Sequence, residues 1–122
     1  MSELQTSAQV SLTLPDSDSA APAIPLLLIA DANAASRTRR ARQLEARGFR
    51  VTVARTWFEA IVKASCHLPD LIFVDQSLGD EGASGATELL ATCPATAHIP
   101  VVRLGPGRRL PTRMLSAVVR HR

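Results

Sequence analysis

The chain has 122 residues, of which 46% are apolar and only 3% aromatic, so we expect one domain with an aliphatic, alanine-rich core. No stretch reaches the roughly 20 apolar residues of a membrane span. The first residues lack the basic and apolar regions of a secretory signal. We therefore expect a cytoplasmic protein without membrane contact. The two cysteines, Cys66 and Cys93, have no metal or redox spacing, which also favours a reducing compartment.

Positive charge is concentrated toward the C-terminus. The net charge of +3 combines residues 1–23, whose charge is −3, with a remainder of +6. A basic cluster can attract nucleic acid or an acidic protein surface. Because no helix-turn-helix, basic-zipper or aromatic stacking pattern accompanies this one, we interpret it as a solvated basic surface. From residue 103 onward the chain has no acid, and its arginines are Arg103, Arg108, Arg109, Arg113, Arg120 and Arg122.

The N-terminal segment differs in composition from the rest. Residues 1–23 are rich in Ser, Ala, Gln, Asp and Pro, and we predict a flexible tail. Residues 10–14 alternate like a strand, so a short edge strand or a docking segment is an alternative there. Residues 24–122 form the predicted domain.

An apolar run at residues 24–30 predicts the first core strand. Asp31 or Asn33 can cap the helix that follows, which we expect to run to about Arg47 and to stop at Gly48. This helix is rich in arginine and has a thin apolar stripe. The predicted stripe consists of Ala34, Thr38, Ala41 and Leu44.

Residues 49–54 alternate with period two, which is typical of an edge strand or of a strand with one solvated face. Thr56 and Glu59 have the spacing of a capping box, which predicts the start of a second helix that continues to His67. Trp57 lies at this start, where it either covers the core or anchors a partner, and we predict core packing.

Residues 70–75 (DLIFVD) place four large apolar residues between two carboxylates. A short apolar run of this kind predicts a strand buried on both faces of a parallel sheet. Asp75 is therefore predicted at the carboxyl end of a central strand, where open α/β sheets bind their ligands.

Strands and helices continue to alternate toward the C-terminus. A loop over residues 76–85 leads to a helix over residues 86–92, and residues 98–104 predict a fourth strand. A breaker at residues 105–107 precedes a last helix that begins near Pro111. The predicted fold is therefore α/β, with an open parallel sheet of four to five strands and helices on both faces. The expected apolar stripe of the last helix is Met114, Leu115 and Val118.

In their order and spacing, five segments within residues 24–122 resemble a response-regulator receiver domain of the CheY type. The resemblance implies a flavodoxin-like sheet with the strand order 2-1-3-4-5. It also implies a phosphoacceptor aspartate and a Mg²⁺ ion at the carboxyl ends of the strands. The segments are residues 28–33 (LIADAN), 45–49 (EARGF), 59–61 (EAI), 69–75 (PDLIFVD) and 98–102 (HIPVV).

The resemblance assigns three residues to that site. Asp75 corresponds to the phosphoacceptor, and Asp31 corresponds to the first of two metal-binding acids. Ser77 corresponds to the residue whose backbone carbonyl completes the protein ligands of the metal. A carboxylate nucleophile can attack a phosphoryl group only when a metal and hydrogen-bond donors neutralise the charge.

Several supporting residues of the receiver site are replaced. Ala32 stands where receivers have the second acid, and Gly105 stands where they have a hydroxyl residue. The lysine that contacts the phosphoryl group is missing, because the only lysine of the chain is Lys63 on the second predicted helix. Without these contacts a phosphoryl group has little means of changing the conformation.

The chain is also short between Gly105 and Pro111, where receivers have a fourth helix and a fifth strand. Either both elements are missing, or residues 108–110 form a minimal substitute. Loss of the fifth strand would leave the fourth strand as an open edge, and open edges are normally paired or covered. We therefore hypothesise self-association or partner docking on this side, through Arg103, Arg108, Arg109, Arg113 and Met114.

Two functional hypotheses follow from the resemblance. The first is an atypical, stand-alone receiver in two-component-type signal transduction, which needs neither phosphorylation nor a cofactor. It binds a histidine kinase, a downstream effector or a second copy of itself. The alternative is a phosphoacceptor receiver of a phosphorelay, which uses Asp75 with Mg²⁺ and has Asp80 or Glu81 in place of Ala32.

We do not predict an enzyme. Haloacid-dehalogenase-type phosphatases also place an aspartate at a strand end, but they need a D-x-D pair, whereas Asp75 is followed by Gln76 and Ser77. The three histidines form no ligand set with either cysteine.

Overall fold

A computed structural model describes residues 24–105, 110–111, 113 and 115. Four strands and three helices alternate along this part of the chain, as predicted. They are β1 (Leu26–Ala30), α1 (Ala34–Ala46), β2 (Arg50–Ala54), α2 (Trp57–His67), β3 (Leu71–Asp75), α3 (Ala83–Thr92) and β4 (Val101–Leu104). A 3-10 turn over Gln76–Leu78 follows β3.

The four strands form one parallel sheet in the order β2-β1-β3-β4. All five residues of β3 are buried, whereas β2 lies at an edge and is only partly covered. The central position predicted for residues 70–75 is confirmed, and of the two alternatives for residues 49–54 the structure shows the edge position. Because the strands are parallel, their carboxyl ends meet at one side of the sheet, and Asp75 is paired there with Leu104 of β4.

Alternate residues of β1 and β3 supply two apolar cores, one on each face of the sheet. The core on the α1 side contains Leu27, Ile29, Leu44, Leu71, Phe73, Leu104 and Leu115. The core on the side of α2 and α3 contains Leu28, Ile72 and Val74 together with Trp57, Leu90 and several alanines. Helices therefore cover both faces, and the predicted aliphatic, alanine-rich core is confirmed.

The start of α2 closely follows the prediction. Thr56 caps the helix, since its Oγ1 accepts a hydrogen bond from the Glu59 N–H (3.0 Å). The Glu59 carboxylate accepts in return from the N–H of Arg55 (2.7 Å), one residue before the cap. This hydrogen bond lowers the pKa of Glu59. Trp57 is 7% exposed and covers the core, as predicted.

Two element boundaries differ from the prediction. α3 begins at Ala83 and not at residue 86, directly after Gly82, whose left-handed conformation (φ 82°) is one that glycine adopts without strain. Ala83 and Ala86 are both buried in the core. β4 is confined to Val101–Leu104, because turns occupy residues 94–98.

Few residues are described beyond β4. Arg113 and Leu115 are helical, and Leu115 is 3% exposed, in agreement with its place in the predicted apolar stripe. The described part of the sheet has four strands, and a minimal substitute over residues 108–110 stays a prediction. The tail of residues 1–23 and the side chains of Arg108, Arg109, Met114 and Val118 lie outside the described residues. None of the described helices is long and apolar enough to cross a bilayer.

Candidate functional site

The two aspartates singled out by the sequence meet at the carboxyl edge of the sheet, with an arginine between them. Asp31 follows β1 and Asp75 ends β3. Arg40 Nη1 lies 2.5 Å from Asp75 Oδ1 and 3.4 Å from Asp31 Oδ2. The three side chains are 0–3% exposed. We call this cluster of Asp31, Arg40 and Asp75 the acid pocket.

Arg40 reaches the acid pocket because of its place on α1. It lies one turn before Leu44, and these two are the fully buried residues of the helix. The predicted stripe is wrong at Ala34 and Thr38, which are exposed. The helix instead turns the face that contains Arg40 toward the sheet, where the carboxylates balance its charge.

Asp31 is held by donors from the start of α1 and from the turn after β3. Its Oδ1 accepts from the Asn33 N–H (2.9 Å) and from the Ser77 hydroxyl (2.9 Å). Its Oδ2 accepts from the Ser36 hydroxyl (2.5 Å) as well as from Arg40. Asn33 is therefore the cap of α1, through a side-chain bond to the Ser36 N–H (2.9 Å), while Asp31 lies inside the pocket.

Asp75 is held by Arg40 and by the residue two positions later. Its Oδ2 accepts a hydrogen bond from the Ser77 N–H at 2.8 Å. Burial by itself raises the pKa of Asp75, but the hydrogen bonds from Ser77 and Arg40 lower it by more. The pKa therefore lies below the ordinary aspartate value, and Asp75 is ionised at neutral pH.

The loop after β4 also touches the acid pocket. Arg40 Nη2 donates to the carbonyl oxygen of Gly105 at 3.4 Å. A second arginine of α1, Arg37, donates to the backbone carbonyl of Asp31 at 2.9 Å. The carboxyl ends of β1, β3 and β4 are thus connected through one guanidinium group.

The loop acids that were considered as a replacement for Ala32 are not part of the acid pocket. Asp80 and Glu81 are exposed, and Asp80 Oδ1 lies 3.9 Å from Arg103 Nη2. Ala32 is itself exposed, and its N–H donates to the Ser77 hydroxyl at 3.0 Å. Within the described ranges, no group of three acidic, histidine or cysteine side chains is placed to hold a metal ion.

The predicted interaction surface is only partly described. Arg103 is half exposed and lies over the Trp57 ring, 5.8 Å from its centroid. The indole Nε1 of Trp57 donates to the Gly79 carbonyl at 3.1 Å, which fixes the ring beneath that guanidinium. Arg113 is exposed. The remaining predicted surface residues, Arg108, Arg109 and Met114, lie outside the described residues.

Sequence reasoning missed Arg40 and Ser36. One pattern did point to Arg40: Leu44 is the largest apolar residue of α1, and a helical stripe drawn backward from it passes through Ala41, Arg40 and Arg37. Ser36 had no comparable pattern, because a serine in the first turn of a helix is common.

Comparison with known proteins identifies the fold. No protein-family model matches the sequence, and no curated protein matches it. The N-terminal domain of a response regulator receiver protein from Methanoculleus marisnigri JR1 matches with a TM-score of 0.61 and 24% identity, over 77% of this chain and 76% of that chain.

Two further solved structures give similar values. A response regulator receiver protein from Pseudomonas putida has a TM-score of 0.61 and 20% identity, over 83% of this chain and 81% of that chain. The chemotaxis response regulator CheY4 of Vibrio cholerae has a TM-score of 0.62 and 19% identity, over 79% and 81%. The chain therefore has the CheY-like fold of response-regulator receivers, and the predicted resemblance is confirmed for the fold.

The receiver fold implies a Mg²⁺ ion beside Asp75, and the residues present do not fit one. Such an ion is bound by carboxylate and carbonyl oxygens and water. Here all four carboxylate oxygens of Asp31 and Asp75 accept hydrogen bonds from protein donors. Arg40 already supplies a positive charge to both aspartates, and the second acid is replaced by Ala32.

Proposed function

We propose that this chain is an atypical receiver module of two-component-type signalling, which acts by binding another protein and does not depend on phosphorylation of Asp75. The observation that carries this proposal is the buried ion pair between Arg40 and Asp75. A phosphoacceptor must offer a carboxylate oxygen to an incoming phosphoryl group. In this chain the acceptor position is 3% exposed and both of its oxygens are hydrogen bonded.

The surroundings of Asp75 support the same proposal. Phosphoryl transfer to a carboxylate is accelerated by positive groups and donors that stabilise the charge of the transferred group. Gly105 offers no hydroxyl at the end of β4, and the single lysine of the chain, Lys63, donates to the Val53 carbonyl on another part of the sheet. The Arg40 guanidinium is already engaged by the two aspartates.

The proposed partner is a signalling protein, either a histidine kinase or a downstream effector. Exposed side chains available for such a contact include Phe58 on α2, which is 76% exposed, and Val62 one turn later, which is 42% exposed. Arg103 and Arg113 add positive charge, which favours a partner surface with acidic groups.

A second copy of the chain is a further proposed partner. β4 is the last strand of the described sheet on the side where receivers have a fifth strand. A free edge presents unpaired N–H and C=O groups that can pair with a strand of another molecule. We propose pairing of two β4 edges, which would give a symmetric dimer.

The test of phosphorylation independence uses a small phosphodonor. The wild-type chain and Asp75→Asn are incubated with acetyl phosphate and Mg²⁺, and intact mass is measured. We expect no phosphorylated species from either chain. A wild-type mass increase of one phosphoryl group, absent from Asp75→Asn, would support instead the alternative of a phosphorelay receiver, which the position of Asp75 at the end of β3 favours.

A second measurement tests the same proposal with an analogue of the phosphoryl group. Beryllofluoride imitates an aspartyl phosphate without forming a stable covalent bond. We expect the amide resonances around Asp75 and Gly105 to stay unchanged when beryllofluoride is added to the wild-type chain. Saturable shifts of these resonances would overturn the proposal.

A further inference from the structure

We propose that Arg40 is a built-in cation that takes the place of the divalent ion implied by the receiver fold and closes the acid pocket to metal. The inference deepens the proposed function and rests on it, because both concern the same pocket. It adds a specific role for one residue of α1 in deciding which ligands the pocket can accept.

The first argument is charge balance. Two buried carboxylates that contact the same guanidinium nitrogen repel each other unless a cation or several donors stabilise them. The Arg40 guanidinium supplies one positive charge through the Nη1 contacts of 2.5 Å to Asp75 and 3.4 Å to Asp31. The Ser36 and Ser77 hydroxyls donate further hydrogen bonds to Asp31. The pocket is therefore stabilised without an ion from solution.

The second argument is enclosure. The Arg40 side chain is 1% exposed, and Leu44, which follows it by one turn on α1, is completely buried in the core. The guanidinium is attached to a packed helix and stays beside the carboxylates, so a dissolved ion must displace it before it can bind. Displacement would also break the hydrogen bond from Arg40 Nη2 to the Gly105 carbonyl.

The third argument is geometry. A guanidinium has five N–H donors in one plane and can connect several acceptors at once. Arg40 uses this property to connect Asp31 after β1, Asp75 at the end of β3 and Gly105 after β4. It thereby connects the loop after β4 to the pocket through a contact that involves no phosphoryl group.

The experiment titrates Mn²⁺, a paramagnetic substitute for Mg²⁺, into three chains and follows the broadening of amide resonances. The chains are wild type, Arg40→Met and the control Arg42→Met, which removes an exposed arginine from the same helix. Methionine keeps the apolar stem of the arginine and removes the charge of the guanidinium together with its hydrogen-bond donors. Thermal unfolding with and without millimolar Mg²⁺ provides a second measurement.

We expect saturable broadening around Asp31 and Asp75 in Arg40→Met only, with affinity at least about tenfold higher than in the wild type. We also expect Mg²⁺ to raise the melting temperature of Arg40→Met and to leave that of the wild type and of Arg42→Met unchanged. The amides near Gly105 should exchange faster in Arg40→Met, because the contact from α1 is lost.

Saturable Mn²⁺ broadening of the amide resonances around Asp31 and Asp75 in the wild type would overturn the inference. A folded Arg40→Met that binds no metal would also overturn it, because the aspartates would then exclude metal without Arg40. Should Arg40→Met not fold, the wild-type titration decides alone. If neither the wild type nor a folded Arg40→Met binds metal, this inference fails and the proposed function stands. If Asp75 is phosphorylated and the wild type binds no metal, the proposed function fails and this inference stands.

Discussion

At the scale of single residues, the acid pocket is a buried ion-pair cluster. The sequence predicts Asp75 as a phosphoacceptor, but its neighbours are those of a structural ion pair: Arg40 on one oxygen and the Ser77 N–H on the other. Buried ion pairs are costly to form, because both charges lose their hydration. Once formed, such a pair is strongly coupled, since removing one partner leaves the other charge buried and unbalanced.

Replacement of Arg40 should therefore reduce stability considerably. We expect Arg40→Met to lower the free energy of unfolding by about 3–5 kcal/mol, because Asp31 and Asp75 are left without a cation. Urea denaturation at neutral pH in the absence of divalent ions measures the change. The control Arg42→Met should stay within about 0.5 kcal/mol of the wild type, since Arg42 is exposed. Equal costs for the two variants would show that the ion pair does not stabilise the fold.

The depressed pKa of Asp75 makes this stabilisation dependent on pH. The ordinary aspartate value is 3.8, and hydrogen bonds from Ser77 and Arg40 place the folded-state pKa below it. The contribution of Asp75 is then fully present above the unfolded-state pKa and is lost as the pH falls through the lower folded-state pKa. Urea denaturation from neutral pH into the acid range should show a steeper loss for the wild type than for Asp75→Asn. Asp80→Asn, at an exposed carboxylate, should follow the wild type, and parallel profiles for wild type and Asp75→Asn would contradict the assignment.

At the scale of elements, the helices on the two faces of the sheet contribute different kinds of side chain to the interior. α1 contributes Leu44 to one core and Arg40 to the acid pocket, so that its inward face is half apolar and half charged. α2 and α3 contribute mainly Trp57, Leu90 and small alanines to the other core. The strands β1 and β3 supply large aliphatic side chains to both faces, which is why their sequences read as unbroken apolar runs.

Two of the three phenylalanines, Phe73 and Phe58, provide a matched test of this packing. Phe73 on β3 is completely buried, whereas Phe58 on α2 is 76% exposed. We expect Phe73→Ala to lower the free energy of unfolding by about 3–5 kcal/mol, and the milder Phe73→Leu by less. Phe58→Ala should change it by no more than about 0.5 kcal/mol. Urea denaturation midpoints measure these effects, and a large cost for Phe58→Ala would indicate that another surface covers this residue.

At the scale of the whole molecule, the described sheet is a receiver sheet with four strands and two edges, β2 and β4. The β2 edge is flanked by α2, whose Lys63 donates to the Val53 carbonyl. On the opposite edge, Arg103 contacts Trp57 and Asp80 on its own chain, and its backbone belongs to the last strand of the described sheet. On β2 a backbone carbonyl, that of Val53, is already hydrogen bonded to Lys63, whereas the contacts named for Arg103 on β4 involve its side chain. We therefore propose β4 as the edge that pairs between molecules.

Self-association through β4 is open to a direct measurement. We expect light scattering coupled to gel filtration to give a mass that rises toward that of a dimer as concentration increases. Arg103→Pro should return the mass to that of a monomer, because proline removes a backbone N–H from the edge strand. Arg103→Ala retains that N–H and should still dimerise. A constant monomer mass for the wild type at high concentration would rule this proposal out.

Taken by itself, the sequence determined the order of the elements and the central position of residues 70–75, because apolar periodicity and caps are local properties of a chain. It also placed Asp31 and Asp75 at one end of the sheet, because each lies at the carboxyl end of a predicted strand and the carboxyl ends of parallel strands meet at one edge. The partner of these acids was decided by tertiary structure. Which face of an arginine-rich helix turns inward depends on what lies opposite it, and two buried carboxylates opposite α1 made Arg40 the inward residue.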